Sequence, residues 1–279
     1  MIEINLDPKL FALGPLLITW HGFFSAVGLA AGIWLIIRMV RGSGVTADDV
    51  YAVAMPAVVG GIVGARVLFV LENLQLFAER PLGVFAINEG GISIYGAVIG
   101  GSLAAWVYAR FTGRPVAYLA DRTAIGLIIG QGIGRIGDII NGEHHGSPAP
   151  GFPFSVTYTH PATLGELGVP AHLAVGYELL LDLLLGGALY LLLKRQPRNG
   201  LVYVAYIFFY GLVRLLVGFY RQDVIVLAAS PTGEIGLGMA QALGVISMVV
   251  AVPWYLWLIR QPQRAERPAA PPPVPQASA

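Results

Sequence analysis

Three arginines stand inside apolar stretches of this chain: Arg66 in GARVLFVLEN, Arg135 in GQGIGRIGD and Arg214 in YGLVRLLVGFYRQ. An arginine deep in lipid costs roughly 2.5–3.5 kcal/mol on insertion scales, so each must face protein, trapped water or an anion. Their planar forks match the oxygens of a phosphate. Arg221, seven residues after Arg214, falls on the same helical face. Taken singly, each arginine reads most plainly as an ion pair with Asp138, Glu143, Glu72 or Glu178, or as a side chain reaching for head groups. Taken together, Arg66, Arg135 and Arg214 outnumber the acids deep in the apolar segments, and the set points to a pocket for an anionic lipid head group. His21 in TWHGFF and Tyr95 in GGISIYGAVIGG add a second chemistry, at similar depth in two other segments. An imidazole takes up a proton near neutral pH, although a lone helical histidine is more often a structural hydrogen-bonder. His21 is the candidate base and Tyr95 its candidate partner.

The densest polar stretch is GLIIGQGIGRIGDIINGEHHG, from Gly126 to Gly146. Gly126, Gly130 and Gly134 are four apart, which gives a helix a smooth face that another helix can approach closely. Arg135, Asp138 and Asn141 are three apart and share a polar face, with Glu143 just beyond. His144, His145, His160 and His172 surround the next segment, but none has the spacing of a metal site. No metal is expected. Tyr177, near the start of a later apolar run, is a candidate substrate contact whose plainer role is that of an interfacial belt residue.

These residues need a frame, and composition defines it. Of 279 residues, 56% are hydrophobic and 12% charged, with a mean hydropathy of +0.70. A soluble domain carries nearer ~25% charged residues. The chain therefore reads as an all-α, polytopic membrane protein. A net charge of +1 gives no reason to expect a nucleic-acid partner, and the absence of cysteine excludes disulfides, thiol catalysis and cysteine-bound metals. Seven apolar segments, near 16–39, 49–72, 91–111, 117–141, 172–193, 200–220 and 235–259, can each cross a core needing ~20 helical residues. The acidic leader MIEINLDPKL and the length of the first run argue against a cleaved signal peptide. Arg38, Arg41, Arg110, Arg114, Arg122, Lys194, Arg195, Arg198, Arg260, Arg264 and Arg267 fall on one side of the membrane, against Lys9 and Arg80 opposite and Arg221 at a border. The excess predicts an N-terminus outside and a C-terminus in the cytoplasm. Residues 1–262 form the transmembrane domain, with 142–171 as a small external head bearing one short strand at FSVTY. The stretch 263–279 is a disordered, proline-rich cytoplasmic tail.

GRIGDIINGEHHG, from Gly134 to Gly146, resembles the signature of the bacterial prolipoprotein diacylglyceryl transferases: Gly-Arg, two residues on an Asn-Phe, then Asn-x-Glu-x-x-Gly. Arg135, Asn141, Glu143 and Gly146 match, while Asp138 stands for an asparagine and Ile139 for a phenylalanine. TWHGFF is similar to the family's Trp-Tyr-Gly segment, with His21 in place of tyrosine. GGISIYGAVIGG is similar to its Gly-Gly-x-x-x-His-Gly segment, with Tyr95 in place of histidine. YELLLD after His172 resembles a His-Pro-x-x-x-Tyr-Glu segment with Leu173 for the proline. YGLVRLLVGFYRQ keeps Arg214 and Arg221 of the sixth-span motif but has Gly218 for a glutamate, and GMAQALG resembles the Gly-Gln segment of the last span. The similarity covers nearly everything but the tail.

The resemblance implies a multi-pass enzyme of the bacterial plasma (inner) membrane. It would move the diacylglyceryl group of phosphatidylglycerol to the lipobox cysteine thiol of a prolipoprotein signal peptide and release glycerol phosphate, with no cofactor. Arg135 and Arg214 would neutralise charge growing on the leaving phosphate. Arg66, Asp138, Asn141, Glu143, Tyr177 and Arg221 would line the substrate site. Asp138 beside Arg135 would partly cancel the positive site, and Gly218 removes a carboxylate. These departures leave open a catalytically degenerate paralogue, a lipid-binding or assembly protein on the same fold.

Overall fold

In the computed structural model the described residues are 1–14, 16–79, 81–85, 93–195, 198–222, 225–228 and 236–261. The tail expected from 263 lies outside them. The order is β1 (Ile2–Ile4), β2 (Lys9–Leu13), β3 (Leu16–Thr19), α1 (Trp20–Val40), α2 (Ala47–Glu72), α3 (Leu74–Glu79) and a 3-10 turn at Pro81–Phe85. Then come α4 (Ile94–Phe111), α5 (Val116–Asn141), β4 (Ser155–Tyr158), β5 (Ala171–His172), α6 (Ala174–Lys194), α7 (Leu201–Gly218), β6 (Ile225–Ala228), β7 (Gly236–Gly238) and α8 (Met239–Arg260).

Six of the described helices, α1, α2, α5, α6, α7 and α8, are long and apolar enough to cross a membrane. The chain is a multi-pass membrane protein. The segment expected at 91–111 is α4, with 18 residues.

The chain divides into two compact units, one made of Met1–Ile36 with Ala120–Arg264 and the other of Ile37–Leu119. In the second, α2 opens on a capping box: Thr46 Oγ1 accepts from Asp49 N at 3.2 Å and Asp49 Oδ2 accepts from Thr46 N at 2.9 Å. It then lies backbone to backbone with α4. A Cβ built on Gly64 would come within 2.3 Å of the Gly96 carbonyl oxygen, and one on Gly100 within 2.3 Å of that of Gly60. The glycine patches GGIVG and GAVIGG are therefore a helix contact.

In the first unit the smooth face of α5 is used in the same way. A Cβ on Gly28 would lie 2.3 Å from the Gly130 carbonyl oxygen, and one on Gly32 2.6 Å from that of Gly126. Lower on α5, buried Asp121 accepts from the backbone N–H of Gly200 at 2.8 Å and of Tyr203 at 2.9 Å, so a side chain from one helix caps the start of α7.

Two corrections to the all-α expectation are needed. Leu16–Thr19 is the second strand of a hairpin with β2 (Ala12 opposite Leu17), and helix begins only at Trp20. An apolar run too short to show its period reads as helix or strand alike, and Gly14, at φ +59°, makes the turn that decides it. The head is also more ordered than one strand. β4, at the expected place, pairs parallel with β1 (Ile2 opposite Val156) and antiparallel with β5 (Ser155 opposite His172). β1 is invisible in the sequence because three residues carry no usable periodicity.

Candidate active site

The site is built where the first turn of α1 meets the last turns of α5. Trp20 is fixed by its backbone N–H to Pro8 O (3.2 Å) and its indole N–H to Asp7 O (3.1 Å). The helix then passes so close to Gly137 that a Cβ there would fall 2.6 Å from both His21 Cα and Trp20 O. Only glycine at 137 permits that approach, and it delivers His21 to the neighbouring Asp138. The imidazole Nδ1 donates to Asp138 Oδ1, and Glu143 Oε2 lies 3.5 Å from the same nitrogen. The side chain of His21 is 45% exposed whereas that of Asp138 is 2% exposed, so the pair joins an accessible ring to a buried carboxylate.

Behind this pair runs a chain of charges. Arg135 donates through one terminal nitrogen to Asp138 Oδ2 and through the other to Glu178 Oε1, both at 2.7 Å. Arg214 donates to the same Glu178 oxygen at 2.6 Å, and Arg221 stands 3.8 Å from Glu178 Oε2. Glu178 is completely buried. It is the hub of three guanidinium groups from two helices and the segment after α7. One turn further along α6 is Asp182, also fully buried, and among the described residues neither of its carboxylate oxygens accepts a hydrogen bond.

The head holds the end of α5 in place. Tyr158 donates its hydroxyl to Ile139 O (2.8 Å), and the Asn141 carbonyl accepts from Leu164 N (2.9 Å). Burial pushes the Tyr158 phenol up to about 12, so it remains a donor. The chain leaves α5 through Gly142 at φ +75°, where a Cβ would also strike Thr163 Oγ1 at 2.6 Å. Asn141 Nδ2 donates to Glu143 Oε1 at 2.8 Å. His144 is the one described non-glycine residue with positive φ, at 57°, a strain that functional loops tolerate when their surroundings enforce it. Burial, and then the Arg221 charge, hold its imidazole down to about 4. It is therefore neutral at pH 7, and its Nδ1 accepts from Arg221 at 3.2 Å.

Of the residues singled out by sequence, the structure joins His21, Arg135, Asp138, Asn141, Glu143, Arg214 and Arg221 in one network. Tyr177 is at its edge, its hydroxyl 3.1 Å from His172 Nδ1 and its ring 5.5 Å from that of Tyr220. Arg66 belongs to the other unit, where its guanidinium donates to Gly83 O (2.5 Å) and Val84 O (2.8 Å) near the rings of Phe69 and Phe77. Tyr95 falls in the first turn of α4, and its side chain lies outside the described residues, as does that of Glu72. The surplus of arginines over deep acids does not hold within the network, because Glu178 and Asp138 stand between the cations. Glu178, expected as an ion-pair partner of the arginines and found as one, is absent from the expected substrate site, as are Asp182 and His144. The available signal is YELLLD, two acids four residues apart in an otherwise apolar helix.

Gly218 has a local explanation. A Cβ there would lie 2.2 Å from Gln241 Cγ. The buried Gln241 amide accepts from Gly238 N (3.0 Å) and donates to Leu215 O (3.2 Å). Gln241 fills the space that a side chain at 218 would need.

The family model for prolipoprotein diacylglyceryl transferase matches residues 8–257. The chain belongs to this family. A protein of Dehalococcoides mccartyi named phosphatidylglycerol–prolipoprotein diacylglyceryl transferase is 34% identical over 269 residues, covering 96% of this chain and 99% of its own length. Proteins of the same name from Cronobacter sakazakii and Geobacter sulfurreducens are 32% identical over 282 residues and 34% over 240. They cover 92% and 84% of this chain, and 94% and 86% of themselves.

Proposed function

We propose that this chain transfers the diacylglyceryl group of phosphatidylglycerol to the lipobox cysteine of a prolipoprotein, with His21 as base and Arg135 and Arg214 meeting the phosphate. The thiol sulfur attacks the glyceryl carbon that bears the phosphate ester. A C–S bond forms, the C–O bond breaks, and glycerol phosphate leaves with one more negative charge than the diester carried. The thiol, with an unperturbed pKa of ~8.5, must give up its proton, and His21 Nε2 receives it. The observation that carries this reading is the bond from His21 Nδ1 to Asp138. Once the carboxylate has taken the Nδ1 proton donor, the lone pair of a neutral imidazole is on Nε2, the nitrogen left to act. Asp138, which replaces an asparagine of the family pattern, and His21, which replaces a tyrosine, thus make one functional pair.

Glu178 does not abolish the attraction of Arg135 and Arg214 for phosphate. A guanidinium has five N–H donors, so one carboxylate fixes its orientation without exhausting it. Preorganised donors of this kind stabilise charge that grows in the transition state. Arg66 and Tyr177 are proposed as further contacts, and Tyr95 as the partner of His21 or the alternative base.

With purified protein, phosphatidylglycerol and a lipobox peptide, glycerol phosphate should be released. His21→Ala should lower the rate about 10²–10⁴-fold. The double exchange His21→Tyr with Tyr95→His should be more active than His21→Tyr alone. Wild-type protein that binds the lipid but releases no glycerol phosphate would support the non-catalytic lipid-binding reading instead.

We further propose seven spans, α4 being the additional one, in the bacterial plasma membrane with the N-terminus outside. The asymmetry of basic residues supports it. Because the chain has no native cysteine, Ser147→Cys should react with an impermeant thiol reagent in intact cells and Asn199→Cys should not. The reverse pattern would overturn the orientation.

A further inference from the structure

His21, Asp138 and Glu143 bring one ligand atom each, a ring nitrogen and two carboxylate oxygens, to within 4.8 Å of one another. We propose that these three residues form a binding site for a zinc-class divalent cation, and that the ion switches the enzyme off. The binding claim stands on geometry; only the inhibition rests on His21 being the base.

The ligand set is one nitrogen and two oxygens carrying two negative charges, which neutralises a divalent ion. Zinc sites with three protein ligands drawn from histidine and carboxylate keep a fourth position for water, whereas magnesium and calcium prefer oxygen alone. The separation of 3.5 Å between His21 Nδ1 and Glu143 Oε2 is near the edge of a tetrahedron with bonds of about 2.0–2.1 Å, roughly 3.3–3.4 Å. The tighter contact between His21 and Asp138 must open to admit the ion. The exposed side of the histidine ring provides the entry.

A separate observation concerns a neighbour of Glu143. Asn141 is 1% exposed; its amide nitrogen holds Glu143, yet its Oδ1 is buried and among the described residues accepts no hydrogen bond. A buried acceptor without a donor calls for a water or an ion. Arg135 stays on Asp138 Oδ2, the oxygen the ion does not need.

Zinc would compete with the base by changing its tautomer. The ion takes the Nδ1 lone pair, the ring proton then resides on Nε2, and the nitrogen that should accept the thiol proton becomes a donor. The capacity comes from two of the positions at which this chain departs from its family's pattern, His21 and Asp138, because tyrosine and asparagine there would offer poor ligands.

The test uses tag-free, full-length protein dialysed against micromolar Zn²⁺, with bound metal measured directly. Co²⁺ serves as a spectroscopic probe of tetrahedral coordination. One ion per chain is expected. His21→Tyr, Asp138→Asn and Glu143→Gln should each weaken binding at least ~10-fold, while His160→Ala, in the head loop, should not. The first two variants restore residue types of the family pattern, and thermal unfolding checks that each is folded. Failure of the wild type to hold an ion, or equal retention by all three variants, would overturn the site. If zinc binds through these three residues while His21→Ala retains transfer, the site stands and the base assignment falls. If His21→Ala is inactive and no zinc binds, the reverse holds.

Discussion

Helices α1 and α5 approach each other at Gly28 with Gly130 and Gly32 with Gly126; α2 and α4 do so at Gly60 with Gly100 and Gly64 with Gly96. Both pairs bring backbones into contact with two glycines from each helix, as small residues allow in lipid. They differ in the residues beyond the contact. Past the α2–α4 contact comes Leu68, whose Cβ would be 2.7 Å from a Cβ on Gly96, and the nearby Arg66 turns to the backbone carbonyls of Gly83 and Val84. Past the α1–α5 contact a third close approach at Gly137 leads to Asp138, and the same packing device sets an imidazole against a carboxylate. Close packing is the means in both pairs, and in the α1–α5 pair it sets a side chain of one helix directly against a charged side chain of the other.

The comparison can be broken most forcefully at Arg135, which binds the α1–α5 pair to Glu178. Arg135→Ala should lower transfer by ~10³-fold or more, beyond the ~10²–10³ typical of losing one transition-state donor, because a buried carboxylate is also stripped of a partner. Arg135→Lys should remain poor, since an ammonium cannot bridge two carboxylates as a fork does. Activity near normal in Arg135→Ala, measured as glycerol phosphate release, would reduce the residue to a structural ion pair.

A smaller effect separates the two glycine contacts. Gly137→Ala should displace His21 by a fraction of an ångström to an ångström and reduce activity per folded molecule by about 10- to 100-fold. Smallest is Gly64→Ala. It should cost about 1–3 kcal/mol of stability through overpacking and leave the activity of the folded fraction unchanged. If Gly64→Ala lowered specific activity as far as Gly137→Ala, the contrast between the two glycine contacts would be wrong.

The six membrane-length helices are legible in the sequence because lipid demands long apolar helices, and the polar face of α5 because Arg135, Asp138 and Asn141 recur at helical spacing. The position of Glu178 is not. A carboxylate on α6 can face any neighbouring helix, and three arginines from elsewhere in the chain meet it only after packing fixes each rotation. Asp138 is half legible. Beside Arg135 in the chain it reads as partly cancelling that charge, and one of its oxygens does accept from Arg135, while the other accepts from His21, which the chain order does not show. The hairpin at Leu16–Thr19 escapes notice because apolar residues feeding into a helix look like more helix.

One connection in the head sets a clock on synthesis. β1 lies parallel to β4, and the amino group of Met1 donates to Pro153 O at 2.7 Å across a separation of 152 residues. Ribosomes add about 5–20 residues per second, so the first strand emerges roughly 8–30 s before its partner exists. Throughout that interval it is an open edge, available to any other strand nearby. The head, and with it the clamp that Tyr158 places on the end of α5, can close only after α5 has been made. The nascent chain therefore closes its head late, with five of its helices already synthesised.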